Sequence, residues 1–331
     1  GQTSNRGIEL QLNAWLVETK DFSLNATFNI GHNKNKIDKL ASGEKEWILT
    51  SAWRNDVVNS DDYRAYVGGT SGLIYGYVND GFYTVADFES FDSKSRTWKL
   101  KEGVVDSSPL SDTPRPGNAK FKKLTPVDPN STNPYQLTEA DRTVIGNTTP
   151  KFSGGFGLNA TYKGFDMSMF FNFMYDFDVL NANKIMLTTW ADNKENNFLM
   201  DIASDKRWRN FDDMGNEIRY SPEVLAEFNK NATMWNPTSI GRPICMSYAV
   251  EDGSFLRLNS ATLGYTLPSV WTKKVGLSKV RFYVSGNNLF TLTGYSGYDP
   301  EVNIATGLTP NIDYNRYPRS RTYTFGAQLT F

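Results

Sequence analysis

Taken at alternate positions, the last ten residues separate into two sets. Tyr323, Phe325, Ala327, Leu329 and Phe331 are apolar, and Thr322, Thr324, Gly326, Gln328 and Thr330 between them are small or polar. Successive side chains of a strand point to opposite faces, so a period of two predicts a strand with one greasy and one wet face. The same alternation runs through Ile8, Leu10, Leu12, Ala14 and Leu16. It returns after the polar stretch Glu18 to Asp21 in Phe22, Leu24, Ala26, Phe28 and Ile30. Two such runs around so short a connection predict an antiparallel hairpin. A second hairpin is predicted where Phe156, Leu158, Ala160 and Tyr162 lead into Lys163-Gly164, and Phe165, Met167, Met169, Phe171 and Phe173 lead out. On its other face Asp166, Ser168 and Asn172 are polar, and Phe170 is the exception.

Phe255 to Tyr265 predicts a further strand, although the alternation does not assign its faces. Leu267-Pro268 stops it, Ser269 is placed to cap a short helical turn, and Gly276 to close that turn in the left-handed conformation. Val280, Phe282 and Val284, opposite Arg281, Tyr283 and Ser285, open the next strand. If Arg257 and Arg281 both face away from the apolar side, each needs a partner or water. The crossings fall near residues 8, 22, 151, 165, 255, 280 and 321, which makes seven.

The connections alternate in length. Short ones lie near residues 19, 163 and 272, and long ones run over 34–150, 176–254 and 294–320. The first long connection predicts short strands and turns of its own, because featureless stretches of that length are uncommon. In the second, Ser221-Pro222-Glu223 marks a helix start. A bilayer is crossed by a tilted strand of about 9 to 11 residues, and outer-membrane barrels have short periplasmic turns and long extracellular loops. The expected fold is therefore all-β: an antiparallel transmembrane β-barrel segment of about seven strands with long extracellular loops. Bacterial single-chain barrels have even strand numbers, so seven implies a part of a barrel. Half-buried strands of a soluble sandwich show the same alternation, which leaves a soluble, secreted β-rich carbohydrate-binding module or glycoside hydrolase as the alternative.

Composition changes this picture in few places. No run approaches the ~18 to 20 apolar residues of a membrane helix, so any crossing is made by strands. A net charge of -1 gives no electrostatic case for nucleic acid. Gly1 to Arg6 has none of the sections of a signal peptide, so export is expected to be encoded outside these residues. The single Cys245 excludes an intramolecular disulfide and a cysteine metal cluster, and is expected to be a packing residue. No cofactor is implied. The one histidine, His32, sits among Asn33, Lys34 and Asn35, and the acidic pairs Asp61-Asp62 and Asp212-Asp213 lack the spacing that glycoside hydrolysis needs, so no catalytic residue is assigned. Asp128, Asn130, Thr132, Glu139 and Asp141 faintly echo a calcium loop, but Pro129 and Pro134 interrupt it and a plain turn accounts for the residues. Aromatics in the polar loops, namely Trp47, Trp53, Trp190, Trp208, Trp235 and Tyr298, are candidate platforms for a ligand.

Several runs then resemble one family. They are Asn5-Arg6-Gly7-Ile8-Glu9, Ile145-Gly146-Asn147, Gly154-Gly155-Phe156 and Tyr162-Lys163-Gly164-Phe165, followed by Val250-Glu251-Asp252-Gly253-Ser254-Phe255. Leu263-Gly264-Tyr265-Thr266-Leu267-Pro268, Ser285-Gly286-Asn287-Asn288-Leu289-Phe290, Gly297-Tyr298-Asp299-Pro300-Glu301 and the terminal strand complete the set. Together they resemble the C-terminal region of the SusC/RagA family of TonB-dependent outer-membrane transporters, over essentially the whole chain. The resemblance implies a 22-stranded barrel, of which residues 1–331 would be the last third, with plug and N-terminal domains absent from this chain. It further implies an importer of glycans or oligopeptides that works with a SusD-like surface lipoprotein as lid. Energy would come from TonB-ExbB-ExbD through the missing N-terminal part. Tyr323, Phe325, Leu329 and Phe331 resemble the signal read by the barrel-assembly machinery. The chain departs from the family at Asp128-Pro129-Asn130, where an Asp-Gly calcium-like turn is common.

Overall fold

The computed structural model describes residues 1–51, 53, 61–189, 197–301 and 307–331. Seven strands form one antiparallel sheet in simple sequence order. They are β1 (Gln2–Glu18), β2 (Phe22–Lys39), β3 (Phe152–Tyr162), β4 (Phe165–Tyr175), β5 (Phe255–Thr266), β6 (Lys279–Thr293) and β7 (Thr322–Thr330). The seven expected crossings are all present. β1 and β2 extend further than the alternation suggested, to Gln2 and Lys39, because beyond one band of the sheet nothing requires an apolar face.

Register carries the apolar residues into one continuous surface. Leu12 stands opposite Phe28, Phe28 opposite Phe156, and Phe156 opposite Phe171. The row one step along runs from Met167 to Leu263, from Leu263 to Val284 and from Val284 to Phe325. Directly paired residues share a face, so a slip of one residue at any seam would turn a strand's apolar set to the wrong side. Ile8, Leu12, Phe165, Leu263, Phe282 and Phe325 are all exposed, which makes the face far more apolar than a soluble surface tolerates. Among the described residues no helix is long and apolar enough to cross a membrane.

The ambiguous faces of β5 have a local cause. Its pairing skips Asn259, so Ala261 and Leu263 share the apolar face with Leu258 and Leu256 although their numbers differ in parity. A bulge adds one residue and resets the alternation. The short connections behave as their residues dictate. Lys163 and Gly164 have φ of 46° and 100°, the two positive values of a tight type I′ hairpin turn. After β5 the helical turn runs Ser269–Thr272 and is closed by Gly276 at φ 77°, but the cap position is Pro268, so Ser269 is the first helical residue rather than the cap.

The long connections build a second layer at one end of the sheet. The first holds a four-stranded sheet of Glu46–Leu49, Tyr63–Tyr66, Leu73–Gly76 and Thr143–Asn147, and two smaller strand pairs. The second contributes Asp178–Asn181, which pairs antiparallel with Val250–Asp252 and parallel with Ile312–Asp313 of the third. Helix Pro222–Phe228 starts behind Ser221 with proline at its first turn, as its sequence required. These connections share their cores. One cluster joins Tyr63 and Ile74 to Leu180, Ile185 and Cys245 and to Ile312, and so contains residues of all three. Cys245 is buried there, and burial pushes its thiol up.

Candidate functional site

The face opposite the apolar band is lined by polar rungs. Ser23 lies 2.6 Å from Thr161, the Asn25 amide donates to Asn13 at 2.7 Å, and Thr262 meets Ser285 at 2.7 Å. Each bond links neighbouring strands on the inner side. Arg281 reaches further, passing over β5 so that its Nε donates to Asp166 of β4 at 2.8 Å. A glycine leaves that path clear: a Cβ on Gly264 would sit 2.4 Å from the guanidinium and make it shift. Tyr283 lies beside the same guanidinium, 5.1 Å from ring centroid to Cζ.

Arg257 points to the same side at the end of β5 nearer the long connections, and is almost completely buried, 1% exposed. Its Nη2 donates to Asp299 at 2.6 Å and stands 3.2 Å from Glu301, which also meets Arg319 at 3.4 Å. A buried guanidinium requires such partners. The run Gly297-Tyr298-Asp299-Pro300-Glu301 is therefore a clasp that fastens the third long connection to the wall. The spacing of Asp299 and Glu301 around Pro300 was visible in sequence. What could not be seen was that Arg257 is their partner.

The comparisons with known proteins agree with this architecture. No protein-family model matches the chain. TonB-dependent receptor P3 of Formosa agariphila is 32% identical over the whole chain, and TonB-dependent receptor SusC of Bacteroides thetaiotaomicron is 26% identical, again over the whole chain. The chain resembles TonB-dependent receptors of the SusC/RagA kind. It spans 29% of the P3 receptor and 27% of SusC. Among solved structures, the RagAB peptide transporter superposes on 99% of the chain with a TM-score of 0.64 at 22% identity, which shows the shared fold. As an all-β barrel segment, the sheet presents its polar rungs to the lumen, its apolar band outward, and its three long connections as a cap.

Within the cap the candidate aromatic platforms have divided fates. Trp53 packs in the shared core with its ring 5.2 Å from Tyr314, Trp208 lies against Phe82, and Trp235 donates its indole N–H to the Thr188 carbonyl at 3.2 Å. All three are buried, which corrects the expectation that they face a ligand. An indole buries a large apolar surface, and in loops without a continuous hydrophobic pattern it is the natural core-former. Trp47 is half-buried against Ile37, Leu40 and Ala65. Trp190 lies outside the described residues. Only Tyr298, 85% exposed beside the clasp, presents a free ring. Tyr323, Phe325, Leu329 and Phe331 are all exposed, the first three on the apolar face of β7.

The acidic stretch of the first connection is organised from within. Asp128 accepts from the backbone of Asn130 at 2.9 Å, a plain Asx turn. Asp141 is turned elsewhere. Its carboxylate accepts from the Leu124, Thr125 and Thr138 backbones at 2.9, 2.7 and 2.8 Å and lies 3.4 Å from the Lys123 ammonium. Burial pushes this carboxyl up, but the bonds from Thr125, Thr138 and Leu124 outweigh it and hold the group down at about 2. Its lone pairs are taken by protein donors, so Asp128 and Asp141 do not converge as the calcium echo suggested.

Proposed function

We propose that this chain forms part of the wall and the outer cap of an outer-membrane importer that takes up a large nutrient, a glycan or an oligopeptide. The observation that carries the reading is the two-faced sheet: an exposed apolar band on one side, hydrogen-bonded polar rungs on the other, and a cap at one end only. A closed barrel of such strands satisfies every backbone group in lipid while enclosing water. β1 and β7 have no second neighbour among the described residues, so in the membrane both pair with further strands of a larger barrel, of 22 strands in this reading.

The mechanism is mechanical. Cargo held between the cap and a SusD-like lid enters when TonB, with ExbB and ExbD, pulls on the N-terminal part of the receptor and opens a path. The Asn, Ser and Thr rungs then hydrate the cargo as it passes, and the wall performs no chemistry. The groups that a hydrolase would draw on have structural partners. The His32 Nδ1 is engaged with the Lys151 carbonyl at 2.6 Å, Asp62 is buried and accepts from the Ser51 backbone at 2.7 Å, and Asp212 closes its own turn by accepting from Asn216 at 2.8 Å. None is paired across a cleft.

The test is uptake of labelled glycans and oligopeptides by cells carrying the full-length receptor, with and without TonB and with and without the neighbouring lipoprotein. Uptake of one cargo class that vanishes without TonB is expected. Uptake that persists without TonB overturns the reading.

A further inference from the structure

The first and second long connections meet over a small cavity of about 50 Å³, whose lining includes Arg96, Trp98 and Arg115 from one and Asn210, Arg219 and Tyr220 from the other. Three guanidinium side chains share this cavity, and no acidic residue lines it. Gathering like charges opposes folding unless something of opposite sign is served.

Each arginine is held by its surroundings. Arg96 sits at the tip of the hairpin formed by Phe88–Asp92 and Thr97–Leu100, at φ 56°, a left-handed conformation uncommon for a long side chain. The tip is fixed by Asp92, which accepts from the Lys94 backbone at 2.8 Å and the Ser95 hydroxyl at 2.7 Å. The Arg96 guanidinium lies 4.7 Å from the centre of the Tyr220 ring, which in turn stacks on Phe91. Arg115 meets Asp112 at 3.2 Å and Arg219 meets Glu217 at 2.5 Å, both acids lying outside the lining. Among the described residues no carboxylate pairs with Arg96, so the cleft keeps an uncompensated positive charge. Beneath it Trp208, Ile218 and Leu225 form a buried cluster against which Trp98 packs, so the base is rigid.

We propose that this cleft binds a tetrahedral oxyanion of the sulfate or phosphate class, either free or as an ester on the cargo. Guanidinium groups present paired N–H donors suited to oxyanions. Three of them match the three terminal oxygens of a sulfate or phosphate ester better than the two of a carboxylate. The volume exceeds the about 10 to 15 Å³ that a cavity needs to hold one water and admits a single small anion. The ester-linked source rests on the import reading, whereas binding of the free ion does not.

Calorimetric titration of the purified full-length receptor at fixed ionic strength tests this, with sodium sulfate, sodium phosphate, a monosaccharide sulfate, its unsulfated parent and triglutamate as probes. Saturable binding of sulfate or phosphate is expected, weakened at least tenfold by Arg96→Gln and by Arg219→Gln. Arg209→Gln should leave it unchanged, because Arg209 packs over Phe228 and pairs with Asp213 outside the cavity. Arg96→Gln changes an exposed hairpin tip and keeps the fold, so it remains decisive if Arg219→Gln fails to assemble. A monosaccharide sulfate that binds more tightly than the free ion, while its parent does not bind, assigns the ester source; equal affinity for ion and ester assigns the free ion. No saturable binding, triglutamate binding as tightly as sulfate, or an equal loss with Arg209→Gln overturns the proposal. Binding is read without TonB, so a receptor that binds sulfate but imports nothing would count against the transport reading alone.

Discussion

Replacing Arg257 with alanine should release the third long connection from the wall. The guanidinium is buried between Asp299 and Glu301, at 2.6 and 3.2 Å, and its removal leaves two carboxylates facing each other in a site with little water. Breaking one side of a buried ion pair costs about 3 to 5 kcal/mol. At about 1.4 kcal/mol per decade that is a rise of roughly 10² to 4 × 10³ in the local opening constant. The Glu301 backbone N–H, which donates to Asp299 at 2.9 Å, is the reporter, and its hydrogen exchange in the full-length receptor gives the opening free energy directly. A companion variant separates lost attraction from stranded charge. Changing Arg257 to Met, Asp299 to Asn and Glu301 to Gln together removes the buried charges, keeps a side-chain oxygen at position 299 to accept from the reporter N–H, and leaves only the half-exposed Arg319 without its partner, so it should return most of the protection. Exchange within threefold of the parent in Arg257→Ala, or equal opening in the triple variant, would refute the argument.

The remaining predictions concern the wall. Gly264→Ala should displace the Arg281 guanidinium from Asp166, costing about 1 kcal/mol for this partly exposed pair, and should be non-additive with Asp166→Asn when barrel unfolding in urea is compared. Deleting Phe331, 90% exposed at the end of β7, should lower the amount of receptor inserted while leaving the heat stability of inserted receptor unchanged; equal insertion would show that the residue is not read during assembly. A cysteine at Gly307 should react with an impermeant maleimide on intact cells and one at Lys163 should not, and the reverse pattern would invert the topology.

The wall was legible in the sequence because a strand with one face in lipid and one in water has to alternate, and ten residues of alternation are hard to produce by chance. Where the reading stalled, at Phe255 to Tyr265, a physical reason is present: the extra residue at Asn259 breaks the period that the reading relies on. The cap was legible only as a length. Its cores are assembled from residues as far apart as Tyr63, Cys245 and Ile312, so no local period announces them, and Trp53, Trp208 and Trp235 looked like exposed platforms when they are the cores themselves. The clasp and the arginine cleft were invisible for the same reason, since Arg257 and Asp299, or Arg96 and Tyr220, meet only across the fold.

The shared core of the cap bears on how such receptors diversify. The parallel pairing of Asp178–Asn181 with Ile312–Asp313, and the cluster drawn from all three long connections, mean that this interior belongs to no single one of them. Transplanting one loop from a relative would strand apolar side chains on both sides of the graft. The unit that recombination or design can exchange is the whole set of three together with Arg257, cut at the strand ends, where the rest of the wall asks only for alternation and would accept a new cap without changing register.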